Sequence, residues 1–255
     1  MAWQTRGTGR PLVLLSANPG DRRDWDAVIP DLARDHQVIA VDWPGHGDSP
    51  APEPPGSASA MMYATVLAEL AEALGLAGAI VFGNSVGGYA AVRLALDHPA
   101  RVAALVLVDP GGFTRHGVAS RAFCAIKGRE WVTRRIAGRF ARRYLRRRTP
   151  WTEAMIARAD AERANPEQVA VDAAIWRSFT DPAHDLRGRA GAVAQPTLLV
   201  WGRHDPVLRM ALDGRAARAA MPAARWVDLD TGHAPFAEDP DAFLGAVRPF
   251  LAEVA

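Results

Sequence analysis

The chain reads as an α/β protein, a mostly parallel central sheet with helices on both faces and an inserted helical segment. Three observations predict this. Short apolar runs alternate with helical patterns from Leu12 to Val108, and each crossover between parallel strands needs a helix. One crossover, Gly83-Asn84-Ser85-Val86-Gly87, carries a strand through a glycine-flanked serine directly into a helix. The alternation stops at Asp109-Pro110-Gly111-Gly112 and resumes at Gln195-Pro196, with mainly helical patterns between.

Before Leu12 there is room for one short strand. Leu12 to Leu15 reads as a strand, followed by a helix near Trp25 to Ala33 and a strand from Val38 to Val41. Residues 51–59, rich in Pro, Ala and Ser, read as an irregular surface loop. A helix near Met61 to Leu74 leads to the strand Ala79 to Phe82, the serine turn, and a helix from Gly88 to Leu96. Val102 to Val108, Thr197 to Trp201 and Arg225 to Leu229 complete the strands. The domain plan is a core of residues 1–111 and 195–255 with a helical insertion over 112–194.

With 255 residues, 49% hydrophobic and 23% charged, the chain can bury a sizeable core as one unit. It has no transmembrane run, and the start lacks the long apolar stretch of a secretory signal, so the expected compartment is the cytoplasm and no stable membrane insertion is expected. The single cysteine, Cys124, cannot form an internal disulfide and reads as structural. There is no internal repeat and no metal-spaced cluster of His and Cys, so neither metal nor other cofactor is expected.

Charge is uneven. Residues 112–158 carry 13 Lys plus Arg against 2 Asp plus Glu, within a chain whose formal net charge is only +2. The densest run, Arg134 to Arg148, can place Ile136, Phe140 and Tyr144 on one helical face. Such a helix is first read as a solvated surface, next as a site for an anionic substrate or acidic surface. Nucleic acid is not expected, because no binding module accompanies the charge. Oligomeric state is left open.

Function is carried by a serine, an acid and a histidine in that order. A serine hydroxyl is a poor nucleophile, and a sharp strand-to-helix turn holds Oγ proud of the sheet beside free backbone N–H groups. Ser85 occupies that turn. Asp205 lies just past the strand ending at Trp201, and His233 lies past the strand ending at Leu229. In a parallel sheet the carboxyl ends share one edge, so the three can converge. His233 then removes the Ser85 proton and returns it to the leaving group, while Asp205 fixes the tautomer.

Over most of its length the chain resembles the α/β-hydrolase fold superfamily. The resemblance rests on Val41-Asp42-Trp43-Pro44-Gly45-His46-Gly47-Asp48-Ser49, the serine elbow, the Gly-Arg-His-Asp loop and the Gly-His loop, in the family's order. It implies that 112–194 is a helical cap that excludes water and shapes the pocket. Among the insertion's aromatics, Phe113, Phe123, Trp131, Phe140, Tyr144, Trp151, Trp176 and Phe179, most are expected to knit helices together and a minority to meet substrate. The oxyanion donors are expected at Val86, after the nucleophile, and at Asn18, with the Asn18 side-chain amide as a further option. Here the chain departs from the family: Ser16-Ala17 replaces the usual His-Gly, which puts the loop's shape in doubt.

Other polar residues get structural readings. Asp109 ends a strand where some relatives keep the acid, but Asp205 is preferred. His204 points elsewhere by alternation, His46 and Asp42 brace their loop, and His98 caps a helix end. The expected activity is hydrolysis of a small to medium apolar ester or related acyl substrate through an acyl-enzyme, as a carboxylic-ester hydrolase. Two alternatives stay open: a carbon–carbon bond hydrolase of ring-cleavage products, suggested by Asn84 beside the serine, and a noncatalytic ligand-binding receptor. Transfer of the acyl group to an acceptor other than water is not decided by the sequence.

Overall fold

A computed structural model describes residues 1–254. Strands β1 (Trp3–Arg6), β2 (Arg10–Leu15), β3 (His36–Val41), β4 (Ala79–Asn84), β5 (Val102–Val108), β6 (Thr197–Gly202) and β7 (Arg225–Leu229) form one sheet in the order β1-β3-β2-β4-β5-β6-β7. Every pairing is parallel except that of β1, which runs antiparallel to β3 at the edge. The chain winds outward from β2 to β3, then returns to the other side of β2 with β4. That reversal opens a crevice at the carboxyl ends of β2 and β4, the position where open α/β sheets bind ligands.

The helices are α1 (Ile29–Leu32), α2 (Ala60–Ala73), α3 (Val86–Asp97), α4 (Val118–Lys127), α5 (Glu130–Tyr144), α6 (Pro150–Ala161), α7 (Pro166–Ser178), α8 (Arg215–Ala220), α9 (Pro235–Glu238) and α10 (Pro240–Val254). Side chains alternate along each strand, which gives the sheet two cores. On one face Val13, Ile39, Val81, Leu105 and Leu199 pack with α2, α3 and α8, around Tyr63, Leu67 and Tyr89. On the other, Leu12, Val38, Phe82, Val106 and Leu198 pack with α1 and α10, around Trp25, Phe243 and Phe250. Trp25 stacks on Phe236 of α9 at 3.8 Å between ring centroids.

The single helix expected near Trp25 to Ala33 is instead a 3₁₀ turn, Arg22–Trp25, followed by the four-residue α1. Asp21 accepts the Arg23 N–H and so starts a turn early, and the break lets Trp25 and Ile29 both reach the core. Between β5 and β6 the chain leaves the sheet for α4 to α7. Among the described residues, no helix is long and apolar enough to cross a membrane.

Candidate active site

Ser85 sits at the turn from β4 into α3 with φ 55° and ψ −116°, a conformation that a serine adopts only where its surroundings force it. The flanking glycines are steric requirements. A Cβ at Gly83 would lie 2.4 Å from the Gly87 carbonyl oxygen, and one at Gly87 would lie 2.5 Å from that of Leu15. The turn is pinned by Ser85 N–H donating to the Val108 carbonyl at 3.1 Å and Gly111 N–H donating to the Ser85 carbonyl at 2.8 Å. Asn84 adds two bonds from its side-chain amide, to the carbonyls of Val108 and His233, each 3.0 Å. Asn84 therefore ties elbow, β5 and histidine loop together and does not line the cavity.

Asp205 and His233 meet as the loops after β6 and β7 converge. Their contact, Nδ1 to Oδ2, is 2.5 Å, and both residues are buried. The other Asp205 oxygen accepts the N–H groups of Val207 and Leu208 at 2.7 and 3.1 Å, so the carboxylate cannot swing away. With Nδ1–H engaged by the carboxylate, Nε2 is left as the basic nitrogen. Ser85 and His233 both line one cavity, and Ser85 Oγ makes no hydrogen bond among the described residues. Bonds of this kind commonly close only when substrate is present.

Asp109 lies behind the pair. It holds φ 42° and accepts the Gly202 N–H at 2.9 Å, while its second oxygen has no partner. Burial, and then the neighbouring Asp205 charge, push its carboxyl well above the ordinary carboxylate range. Both causes favour the protonated form of Asp109. Donor atoms of Asp109, Asp205 and His233 lie within 4.8 Å of one another, a spacing set by the Asp205–His233 bond and the Asp109 carboxyl held behind it by Gly202 N–H.

The loop after β2 keeps its shape without His-Gly. Ser16 Oγ donates to the Asp21 carbonyl at 2.7 Å, and Trp43 Nε1 donates to the Ser16 carbonyl at 2.8 Å. The backbone N–H groups of Asn18 and Val86 have no partner among the described residues, and both residues line the cavity. The Asn18 side-chain amide, expected as a possible donor, is directed elsewhere: Nδ2 donates to Asp172 Oδ1 of α7 at 2.8 Å. The other Asp172 oxygen takes Lys127 Nζ at 3.0 Å, with both side chains 2% exposed. Lys127 is the only lysine in the chain, and its ammonium also lies over the rings of Trp176 and Phe140, 5.3 and 5.6 Å from their centroids. A buried pair on the insertion thus holds the loop after β2.

The insertion also grips the histidine loop. His233 N–H donates to the Tyr144 carbonyl at 3.0 Å, and the Tyr144 ring stands edge-on to His233 at 5.6 Å. Buried Glu238 accepts the N–H groups of Gly232, Arg146 and Arg147 at 2.9, 3.0 and 3.0 Å. Sequence reasoning missed Glu238, Asp172 and Lys127; the isolated lysine among arginines was the one available signal.

The cavity holds about 100 Å³, less than the roughly 150 Å³ that takes up a benzene. Phe123, Phe140, Tyr144, Trp176 and Phe179, five of the eight insertion aromatics, line it. The rings that join the insertion's helices, such as Trp176 against Phe123, Phe140 and Phe179, are also the cavity wall. Trp131 and Trp151 are exposed, and Phe113 is in the sheet core. Cys124 also lines the wall, where burial pushes its thiol up to about 11, so it carries no thiolate. No arginine or lysine is among the lining residues. Arg146 and Arg147 pair with Asp230, and Arg148 pairs with Glu153. His204 pairs with Asp230 on the surface, and buried His46 lies 3.7 Å from Glu162.

Residues 10–240 match the family model described as alpha/beta hydrolase fold. The chain is 30% identical over 263 residues to the "Putative carbamate hydrolase RutD" of Azorhizobium caulinodans, covering 99% of this chain and 95% of that one. Among solved structures it is similar to a thermophilic esterase from Thermogutta terrifontis, with a TM-score of 0.82, 27% identity and coverage of 99% and 93%. It is likewise similar to the enol-lactonase from Burkholderia xenovorans, with a TM-score of 0.82, 25% identity and coverage of 98% and 96%.

Proposed function

Because the chain belongs to the alpha/beta hydrolase fold family, we propose that it is a serine hydrolase that cleaves a short, uncharged ester through an acyl-enzyme on Ser85. His233 Nε2 takes the Ser85 proton as Oγ attacks the carbonyl carbon, and Asp205 stabilises the imidazolium that forms. The N–H groups of Asn18 and Val86 receive the oxyanion. His233 then protonates the leaving alcohol. Water, activated by the same nitrogen, releases the acid and restores Ser85.

The observation that carries this reading is the buried 2.5 Å Asp205–His233 contact opening onto the same cavity as a serine in a forced backbone conformation. The carbamate hydrolase, esterase and enol-lactonase names all describe cleavage at a carbonyl, which agrees with that chemistry. The 100 Å³ cavity and its aromatic wall favour a small apolar acyl group. We assign α4 to α7 the part of a cap that keeps water from the acyl-enzyme until deacylation. The carbon–carbon alternative loses its support, since Asn84 braces the elbow and no cation lines the cavity for a dienol carboxylate.

Labelling with a fluorophosphonate, read by intact mass and peptide mapping, tests the mechanism. Wild type is expected to carry one adduct on Ser85 and Ser85→Ala none. Normal ester turnover by pure Ser85→Ala would overturn the proposal, and an unlabelled, well-folded wild type would move the ligand-binding reading to the front.

A further inference from the structure

Helix α4 is turned inside out. A surface helix ordinarily shows a polar side to water and an apolar side to the core. In α4 the sides are exchanged. Ser120, Phe123 and Cys124 line the cavity and the Lys127 ammonium is buried, while Val118, Ile126 and Phe123 are 88%, 52% and 46% exposed. Ala119, Ala122 and Ala125 are exposed between them, and Arg121 is the one charged residue on that side. Trp131, at the start of α5, is a further 65% exposed apolar group. Large apolar side chains left in water on one helix are unfavourable, and a patch of this kind marks a docking face.

The surrounding charge identifies the partner's chemistry. From Arg115 to Arg143 the chain has nine Lys plus Arg and one acid, Glu130. Arg129, Arg135, Arg139 and Arg143 are exposed and make no ion pair among the described residues, unlike Arg146, Arg147 and Arg148 farther along. Ala125, Arg129, Trp131, Arg134 and Arg177 line one surface groove, so arginines border the apolar face directly. The partner must therefore offer apolar and anionic groups side by side over an extended surface. An anionic lipid bilayer does so: its phosphates meet guanidinium groups, its headgroup level suits a tryptophan, and its acyl boundary takes aliphatic side chains. A second copy fits worse, because a two-fold contact would set these arginines against their own copies.

We infer that the outward face of α4, together with Trp131 and the arginines Arg129, Arg135 and Arg139, docks on an anionic lipid surface. The contact is peripheral. Val118 and Ile126 enter the acyl boundary, the arginines meet lipid phosphates, and no helix has to cross the bilayer. None of these residues belongs to the catalytic set, so the contact stands whether or not Ser85 is reactive. Phe123 belongs both to this face and to the cavity wall, so a docked molecule holds its cavity beside the lipid.

Flotation with vesicles at low salt tests the contact, using phosphatidylcholine alone and phosphatidylcholine mixed equally with phosphatidylglycerol. Wild type is expected to float with the mixed vesicles and not with phosphatidylcholine. Two variants divide the face. Val118→Ser/Ile126→Ser removes the apolar anchors and keeps the charge, and Arg129→Gln/Arg135→Gln/Arg139→Gln does the reverse. Each should weaken partitioning onto the mixed vesicles by about tenfold or more, with melting temperatures showing that both are folded. No flotation of wild type, or equal flotation with both vesicles, would overturn the proposal. Loss in the arginine variant alone would leave only diffuse charge attraction, and loss in the apolar variant alone would remove the need for anionic lipid; either overturns it. Should the apolar variant fail to fold, hydrogen–deuterium exchange of wild type decides: α4 amides should exchange more slowly with the mixed vesicles than without, and unchanged exchange overturns the contact. A wild type that ignores the vesicles, and is a dimer by light scattering where the apolar variant is a monomer, would give the face to a second copy and overturn it as well.

Discussion

Ser85, Asp205 and His233 stand on the loops leaving β4, β6 and β7, and bonds along the sheet edge hold them: Ser85 N–H to Val108, Gly111 N–H to Ser85, Asn84 to the His233 carbonyl, and the N–H groups of Val207 and Leu208 to Asp205. Lys127, Tyr144 and Asp172 come from three helices of the insertion: Lys127 and Asp172 hold the loop after β2 and Tyr144 holds the histidine loop, by contacts across long stretches of chain. The sheet edge supplies the reacting groups and the insertion supplies their restraint. Loss of a group at the edge should therefore remove chemistry while sparing the fold, whereas loss of a group in the insertion should cost stability first and rate second.

The sharpest test sets the two carboxylates at the edge against each other. Asp205→Asn removes the charge that fixes the His233 tautomer, and kcat should fall about 10⁴-fold. Asp109→Asn replaces a carboxyl whose ionisation burial and the Asp205 charge oppose, so kcat should fall less than about tenfold. The variant also has a pH signature. The Asp109 pKa is raised above its unfolded value of 3.8, so the native state binds the extra proton and stability is lost as pH rises above that value. Asn carries no such penalty. The stability of Asp109→Asn relative to wild type, from urea midpoints, should increase from acid to neutral pH; a flat difference would mean that Asp109 is ionised in the fold.

The Lys127–Asp172 pair probes the insertion side. Lys127→Met leaves Asp172 buried with only the Asn18 amide, and should cost about 3–5 kcal/mol of stability. The double variant Lys127→Met/Asp172→Asn removes the stranded charge and should recover most of that loss. Asn18 N–H is held through this pair, so both variants should lower kcat more than they raise KM. A single variant no less stable than the double would show that the pair does not restrain the loop.

This division explains what could be read from the chain. Ser85, Asp205 and His233 stand in short strings at strand ends, where local order fixes their place, and β5 and β7 have the bounds that apolar runs alone suggested. Lys127, Asp172 and Glu238 act across the fold, and nothing within a few residues of them reports their partners. The same holds for the aromatics, whose helical spacing is equally suited to joining helices or to facing a cavity.

The smallest effect is expected where the sequence is most conspicuous. Replacing Arg146, Arg147 and Arg148 by Gln removes about a tenth of the positive charge in a chain with 30 Lys plus Arg, yet their partners Asp230, Asp239 and Glu153 lie at the surface or near it. The backbone N–H groups of Arg146 and Arg147 keep their bonds to Glu238 whatever the side chain. Exposed pairs contribute little and are screened by salt, so the melting temperature of the triple variant should move by no more than about 2–4 °C. None of the three lines the cavity, so kcat/KM for an anionic ester relative to a neutral one should change less than about twofold, and that change should vanish at high salt. A fall of tenfold or more, persisting in salt, would place an anion site on the arginine run and make the insertion a supplier of binding groups as well as of restraint.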